Sequence, residues 1–278
     1  MSAGLIASVV ATHSPRMGVP ESAPAFLREA MAGEREMGAA LRALQPDLFI
    51  VASAHWVSTF NWYVTAHEVH EGRCVAEEAP DLIPGVPYRR KGDPEFARAF
   101  SKAMNEADIP CGLNETPDYD WDYGSLVPLL YLDPGSEVPV VTLTTVICAE
   151  LDECIEVGRV THRVAERLGR RAVFVSSCAL SHAVRRGPEN WPTESHMALD
   201  RRLIDMMCAG DARGLVAWAP TYSKEAVAEM GGRTICTMIG AMDAMASALG
   251  PLEGRQYGPY AQSSASGNAN VCVVPKAA

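Results

Sequence analysis

Short, β-branched apolar runs alternate along this chain with stretches whose apolar residues recur at helical spacing. The run Leu48-Phe49-Ile50-Val51-Ala52-Ser53-Ala54 stops at His55-Trp56. Residues 5–12 are mostly apolar and end at His13-Ser14-Pro15. Ala172-Val173-Phe174-Val175-Ser176-Ser177 leads through Cys178-Ala179-Leu180-Ser181 to His182. Runs of this length and composition read as strands buried on both faces. Three hydrophobic strands thus each deliver a histidine just past their carboxyl end, the edge at which open α/β sheets bind ligands.

The rest of the pattern fills in around these strands. Ser22 and Pro24 read as a helix start, and residues 25–44 keep apolar side chains at helical spacing. Strands are expected at 4–12, 47–54, 61–65, 138–147, 171–177 and 270–274. Further helices are expected from Asp93-Pro94 to about Met104, and at 150–168, 194–208, 211–218 and 234–249, the last apolar on most faces. Residues 68–91 carry Pro80, Pro84, Gly85 and Pro87 and read as irregular. That is longer than an ordinary connection, so the segment is a functional loop or holds structure the pattern does not reveal; its 76–91 part could cover a pocket. Residues 114–121 are polar and irregular. Strands and helices alternate without a composition break, so the expectation is one α/β domain over residues 1–278, a central mixed sheet with helices on both faces.

Composition narrows the function. Of 278 residues, 48% are hydrophobic and 21% charged, and the net charge is -10, which argues against nucleic acid and anionic membrane as partners. No basic leader or spanning segment is evident, and a cytoplasmic location is expected. The eight cysteines form no CxxC pair and read as buried reduced thiols.

Strand-end histidines suit a metal site. Two histidines and one carboxylate on one face of an ion leave positions open for substrate and dioxygen. His13 and His55 are the ligand candidates, which frees the third histidine to move protons. Trp56 reads as packing. His67, His70, His162 and His196 have weaker claims. Arg185 and Arg186 follow His182 and either hold a substrate carboxylate, whose geometry a guanidinium matches, or lie in a solvated loop.

Thr12-His13-Ser14-Pro15-Arg16-Met17, Ser53-Ala54-His55-Trp56, Asp122-Tyr123-Gly124-Ser125-Leu126-Val127-Pro128 and Leu180-Ser181-His182 occur in this order. Together with Ser264-Ala265-Ser266-Gly267-Asn268-Ala269-Asn270, they resemble the class III extradiol ring-cleavage dioxygenases of the LigB type. The likeness is greatest to the homoprotocatechuate 2,3-dioxygenase and 2-aminophenol 1,6-dioxygenase branches. The resemblance implies an Fe(II) enzyme that inserts both atoms of dioxygen into a monocyclic catechol or 2-aminophenol; the sheet edges and the buried-looking last helix suit association, as a homo-oligomer or with a related partner subunit. It implies a glutamate as third ligand, for which Glu229 is preferred over Glu225 because the glycines after it permit a tight backbone. It gives His182 the acid and base work, and Tyr123, a poor base at neutral pH, a hydrogen bond to bound substrate or oxygen. Two alternatives stay open: a relative using zinc or manganese for another reaction, and a non-catalytic partner subunit of a two-chain dioxygenase.

Overall fold

The four strands with the most apolar sequences lie side by side and parallel. They are β1 (Gly4–Ala11), β2 (Leu48–Ser58), β7 (Val140–Val146) and β8 (Arg171–Ser177), in the spatial order β7-β2-β8-β1. Every residue of β1 and β7 is buried, as a parallel strand covered on both faces requires. This computed structural model describes residues 3–277.

The sheet has eight strands. Beyond β7 come β3 (Trp62–Thr65), antiparallel to β7, and β6 (Cys111–Asn114) at one edge. Beyond β1 come β10 (Ser266–Pro275) and the edge strand β9 (Leu252–Ser263), both antiparallel to their neighbours. Helices cover both faces. On one side α2 (Pro94–Glu106), α4 (Leu151–Arg167), α5 (Glu194–Cys208), α6 (Ala212–Glu225) and α7 (Arg233–Leu249) build one hydrophobic core. On the other, α1 (Arg28–Ala43) and α3 (Tyr123–Leu132) build the second, with a separate hairpin of β4 (Val69–Val75) and β5 (Pro84–Lys91). The molecule is a single α/β domain with a mixed sheet, as its pattern predicts. Among the described residues no helix is long and apolar enough to cross a membrane.

Two local expectations need correction and two elements go beyond the pattern. The second strand continues past residue 54: Ala52 pairs with Leu143 but Val57 pairs with Thr145, so the chain bulges and then rejoins the ladder. Residues 68–91 hold the β4–β5 hairpin. Its half-exposed strands carry little apolar signal, and β5, an edge strand, tolerates Pro84 and Pro87. α6 runs to Glu225 through Pro220, held by the buried Ala219 and Tyr222. β9 was not foreseen because its outer half is largely exposed and polar.

Candidate metal centre

His13 lies just beyond β1, buried, with only 5% of its surface exposed. Its neighbour Thr12 is pinned to the adjacent strand β10, the Thr12 N–H donating to Asn270 Oδ1 at 3.0 Å. A short 3-10 turn, Pro15–Met17, follows. It is closed by the Met17 N–H donating to the Ser14 carbonyl at 2.8 Å and by the Tyr131 hydroxyl donating to the Met17 carbonyl at 2.5 Å.

His55 sits in the bulge of β2, and Ser53 shapes that bulge. The Ser53 Oγ accepts from the N–H of His55 at 3.0 Å and of Trp56 at 3.3 Å, and donates to Asp122 Oδ1 at 2.5 Å. Asp122 is also the N-cap of α3, accepting from the Ser125 N–H at 3.0 Å. Gly124 follows because a Cβ there would strike the Ser53 hydroxyl. This geometry presents Tyr123, the first residue of α3, to the bulge, and its hydroxyl meets His55 Nε2 at 2.7 Å.

His182 and Glu229 are set by one small ladder. The segment 180–182 is bridged on one side to Ala228 and on the other to Ser266. The Glu229 N–H donates to the Leu180 carbonyl at 3.1 Å and the His182 N–H to the Val227 carbonyl at 2.9 Å. Beneath it, buried Asp200 accepts from the Ser181 N–H and hydroxyl and from the Tyr222 and Tyr260 hydroxyls, at 2.6–3.1 Å. Glu229 opens a 3-10 turn in which Met230, Gly231 and Gly232 all have positive φ (50°, 66° and 84°). The glycines take this at no steric cost, and Met230 takes it under strain.

The three segments converge. His13 Nε2 and His55 Nε2 are 3.1 Å apart, and Glu229 Oε1 lies 3.5 Å from the first and 3.6 Å from the second. His182 Nε2 stands 3.2 Å from the same oxygen. Glu229 Oε2 is taken by the Ala179 N–H at 2.6 Å, but Oε1 is buried and has no hydrogen-bond partner. A buried carboxylate oxygen left unsatisfied at the centre of imidazoles is the signature of a cation site. The ligand atoms of His13, His55 and Glu229 all lie within 4.8 Å of one another, and two imidazoles with one carboxylate suit a divalent ion with positions left open.

Electrostatics agree with that fit. Burial alone would raise the Glu229 carboxyl, but the surrounding His13, His55 and His182 hold it well below the usual carboxylate range. Burial depresses the His182 imidazole, helped by His13 and His55 and opposed by Glu229. Burial would lower His55 as well, yet Glu229, Asp122 and Glu78 bring it above its usual value. Burial, and then the carboxylates of Glu78, Glu229 and Asp122, push the Tyr123 phenol far up, so it stays protonated.

His13, His55, Glu229, Tyr123 and His182 all line one cavity of about 180 Å³, with Leu82 and Val184 as apolar walls. Arg185 is exposed and absent from the residues lining that cavity; its backbone N–H is spent on the Ser264 carbonyl at 2.8 Å. Glu225 is the exposed last residue of α6. His162 accepts a hydrogen bond at Nδ1 from the Leu5 N–H, and His70 bonds the Val140 carbonyl, so both are structural. One neighbour escaped the sequence reading. Glu78, in the β4–β5 loop, places Oε1 3.4 Å from His55 Nδ1. Nothing in the polar Ala76-Glu77-Glu78-Ala79 stretch marks it out.

Comparisons with known proteins agree with the architecture. A family profile described as the catalytic LigB subunit of aromatic ring-opening dioxygenase matches residues 8–266. The chain is 24% identical over 261 residues to the 2-aminophenol 1,6-dioxygenase beta subunit of a Pseudomonas species, covering 86% of this chain and 85% of that one. It is 21% identical over 223 residues to 3,4-dihydroxyphenylacetate 2,3-dioxygenase of Escherichia coli, covering 76% and 80%. An uncharacterized protein from Escherichia coli K12 shares the fold, with a TM-score of 0.69 at 18% identity over 96% of this chain and 99% of that one. With the profile spanning nearly its whole length, the chain belongs to the LigB family of aromatic ring-opening dioxygenases.

Proposed function

We propose that this chain is an Fe(II)-dependent extradiol dioxygenase, one catalytic domain over residues 1–278 that opens a monocyclic catechol or 2-aminophenol-type ring. The observation that carries the reading is the unsatisfied Glu229 Oε1 among the Nε2 atoms of His13, His55 and His182. The relatives named above, both dioxygenases by name, support the reaction class. The cavity of about 180 Å³ supports a single ring, since an engineered apolar cavity of about 150 Å³ binds benzene.

His13, His55 and Glu229 would hold the iron, which supplies open positions for the two ring heteroatoms and dioxygen and a path for electrons between them. The chain does the rest by positioning and proton transfer. His182, kept neutral by burial, accepts the substrate hydroxyl proton at Nε2 and returns a proton later in turnover. Tyr123, held as a phenol, donates a hydrogen bond and cannot act as the base. Leu82 and Val184 offer the ring apolar contacts on the cavity wall.

Two other assignments remain as competitors. A different divalent metal would leave the residues in place and is separated by metal analysis. A non-catalytic subunit is the second, because the chain is also 22% identical over 220 residues to the alpha subunit of the Pseudomonas 2-aminophenol 1,6-dioxygenase. The complete donor set favours a catalytic chain, as a homo-oligomer or beside a related subunit. The deciding experiment is oxygen uptake by anaerobically Fe(II)-loaded protein against catechols and 2-aminophenols, beside His182→Ala. Uptake with a ring-opened product, reduced by about 10²-fold or more in the variant, is expected. Stoichiometric iron without uptake on any substrate would sink the catalytic reading.

A further inference from the structure

Arg16 is the one lysine or arginine among the described residues that line the cavity. It is partly covered. Among the described residues no ion pair or hydrogen bond occupies its guanidinium. Other covered arginines are engaged: Arg90 by Asp133, Arg159 by Asp243 and Arg170 by Asp93. The chain has 34 acidic residues against 24 basic ones, so a carboxylate to neutralise Arg16 was not scarce. A partly desolvated guanidinium without a partner loses hydration and gains nothing in return. On a cavity wall, that is the state of a receptor between ligands.

The surroundings are built to match. Arg16 lies in the 3-10 turn that follows His13, held at both ends by hydrogen bonds and by the fully buried Met17. Beside it the Ser14 hydroxyl meets the Ser263 hydroxyl at 3.3 Å. Ser263, Ser264 and Ser266 continue the wall. They belong to a β-hairpin turn whose central residues, Ser264 and Ala265, have φ of 53° and 65°. Such a turn prefers Asn-Gly, and strain of this kind persists where a site depends on it. Guanidinium and hydroxyls together form a donor-rich wall, whereas Leu82 and Val184 are apolar.

We propose that Arg16 is the receptor for an anionic substituent of the substrate, so that the ring entering this site carries a carboxylate. That the ligand is a dihydroxylated or aminohydroxylated ring rests on the proposed dioxygenase function; that the cavity prefers an aromatic acid rests on Arg16 alone. A guanidinium receives a carboxylate through two parallel, charge-assisted hydrogen bonds, and the serine hydroxyls supply further donors.

The test is a pair of binding isotherms on anaerobic, Fe(II)-loaded protein, phenylacetate against its neutral isostere phenylacetamide. It is run on the native chain, Arg16→Gln and Arg16→Lys, with iron content and circular dichroism recorded for each. The native protein should bind the acid about 10- to 100-fold more tightly than the amide. Arg16→Gln should abolish that ratio, and Arg16→Lys, which keeps charge without the fork, should restore part of it. Equal affinities in the native protein overturn the assignment, as does a preference that survives in Arg16→Gln, which would place the acid on the metal. Oxygen uptake with 3,4-dihydroxyphenylacetate and 4-methylcatechol separates the two proposals. An Arg16-dependent acid preference without uptake of either sinks ring cleavage alone, and uptake without any acid preference sinks the receptor alone.

Discussion

Glu78 stands 3.4 Å from His55 Nδ1 with its side chain 56% exposed. A metal-bound imidazole is held in one tautomer by a partner on its other nitrogen, and loss of such a partner costs about 10- to 100-fold in metal affinity. Because solvent screens Glu78, the lower end applies. Glu78→Gln should weaken Fe(II) binding about 10-fold, read by competition with a chromophoric chelator. Unchanged affinity would leave Ser53 and the bulge as the whole source of His55 orientation. The same residue explains a limit of sequence reading. His13, His55 and His182 stood out because apolar strands point to them, whereas Glu78, Glu225 and Glu229 look alike in sequence. What separates Glu229 is a strained turn, visible beforehand only as Gly231-Gly232 and as a family likeness.

At the scale of elements, close approach matters more than hydrophobicity. α4 and α7 cross at Gly158 and Gly240, and a Cβ on Gly240 would overlap the Ile155 carbonyl. The obstacle is backbone, so it cannot rotate away. Gly240→Ala should cost about 1–3 kcal/mol, seen as a lower urea midpoint with an unchanged slope. The hairpin is tied down differently, by the buried pair Arg90–Asp133 at 2.9 Å, with Arg90 also donating to the Leu129 carbonyl at 3.0 Å. Burial lowers the guanidinium and Asp133 opposes it. The parallel strands and α4, α5 and α7 were legible because burial on fixed faces imposes a period on their sequences. The hairpin and β9 were not, because polar contacts and long-range partners hold them, and those leave no period.

The stability of the whole molecule should depend on mildly acidic pH through histidines outside the cavity. His70, 4% exposed, is lowered to about 4 by burial, against the raising effect of its bond to Val140. His162 is lowered in the same sense by burial, and its Nδ1 must stay unprotonated to accept from Leu5. In the unfolded chain both bind protons near their ordinary pKa of about 6.5. Between that value and about 4 the unfolded state therefore holds the extra proton, and the fold loses stability as pH falls. His70 alone accounts for at most about 3 kcal/mol across this window. Urea unfolding at pH 7.5 and pH 5 should show the drop, and His70→Gln should flatten it.

His13 and Glu229 are 216 positions apart, the difference of their residue numbers, and meet only once β1, β8 and the turn before α7 are in place. An ion gripped by side chains so distant in sequence has no binding site on a nascent chain until Glu229 has been made and the sheet has formed. Loading must follow closure of the sheet. Once seated, the ion ties the first strand to the last third of the chain, so free metal opposes global unfolding by mass action. Under the proposed function, iron supply would then govern the lifetime of the polypeptide as well as its turnover, and a starved cell would lose the protein to proteolysis along with the activity.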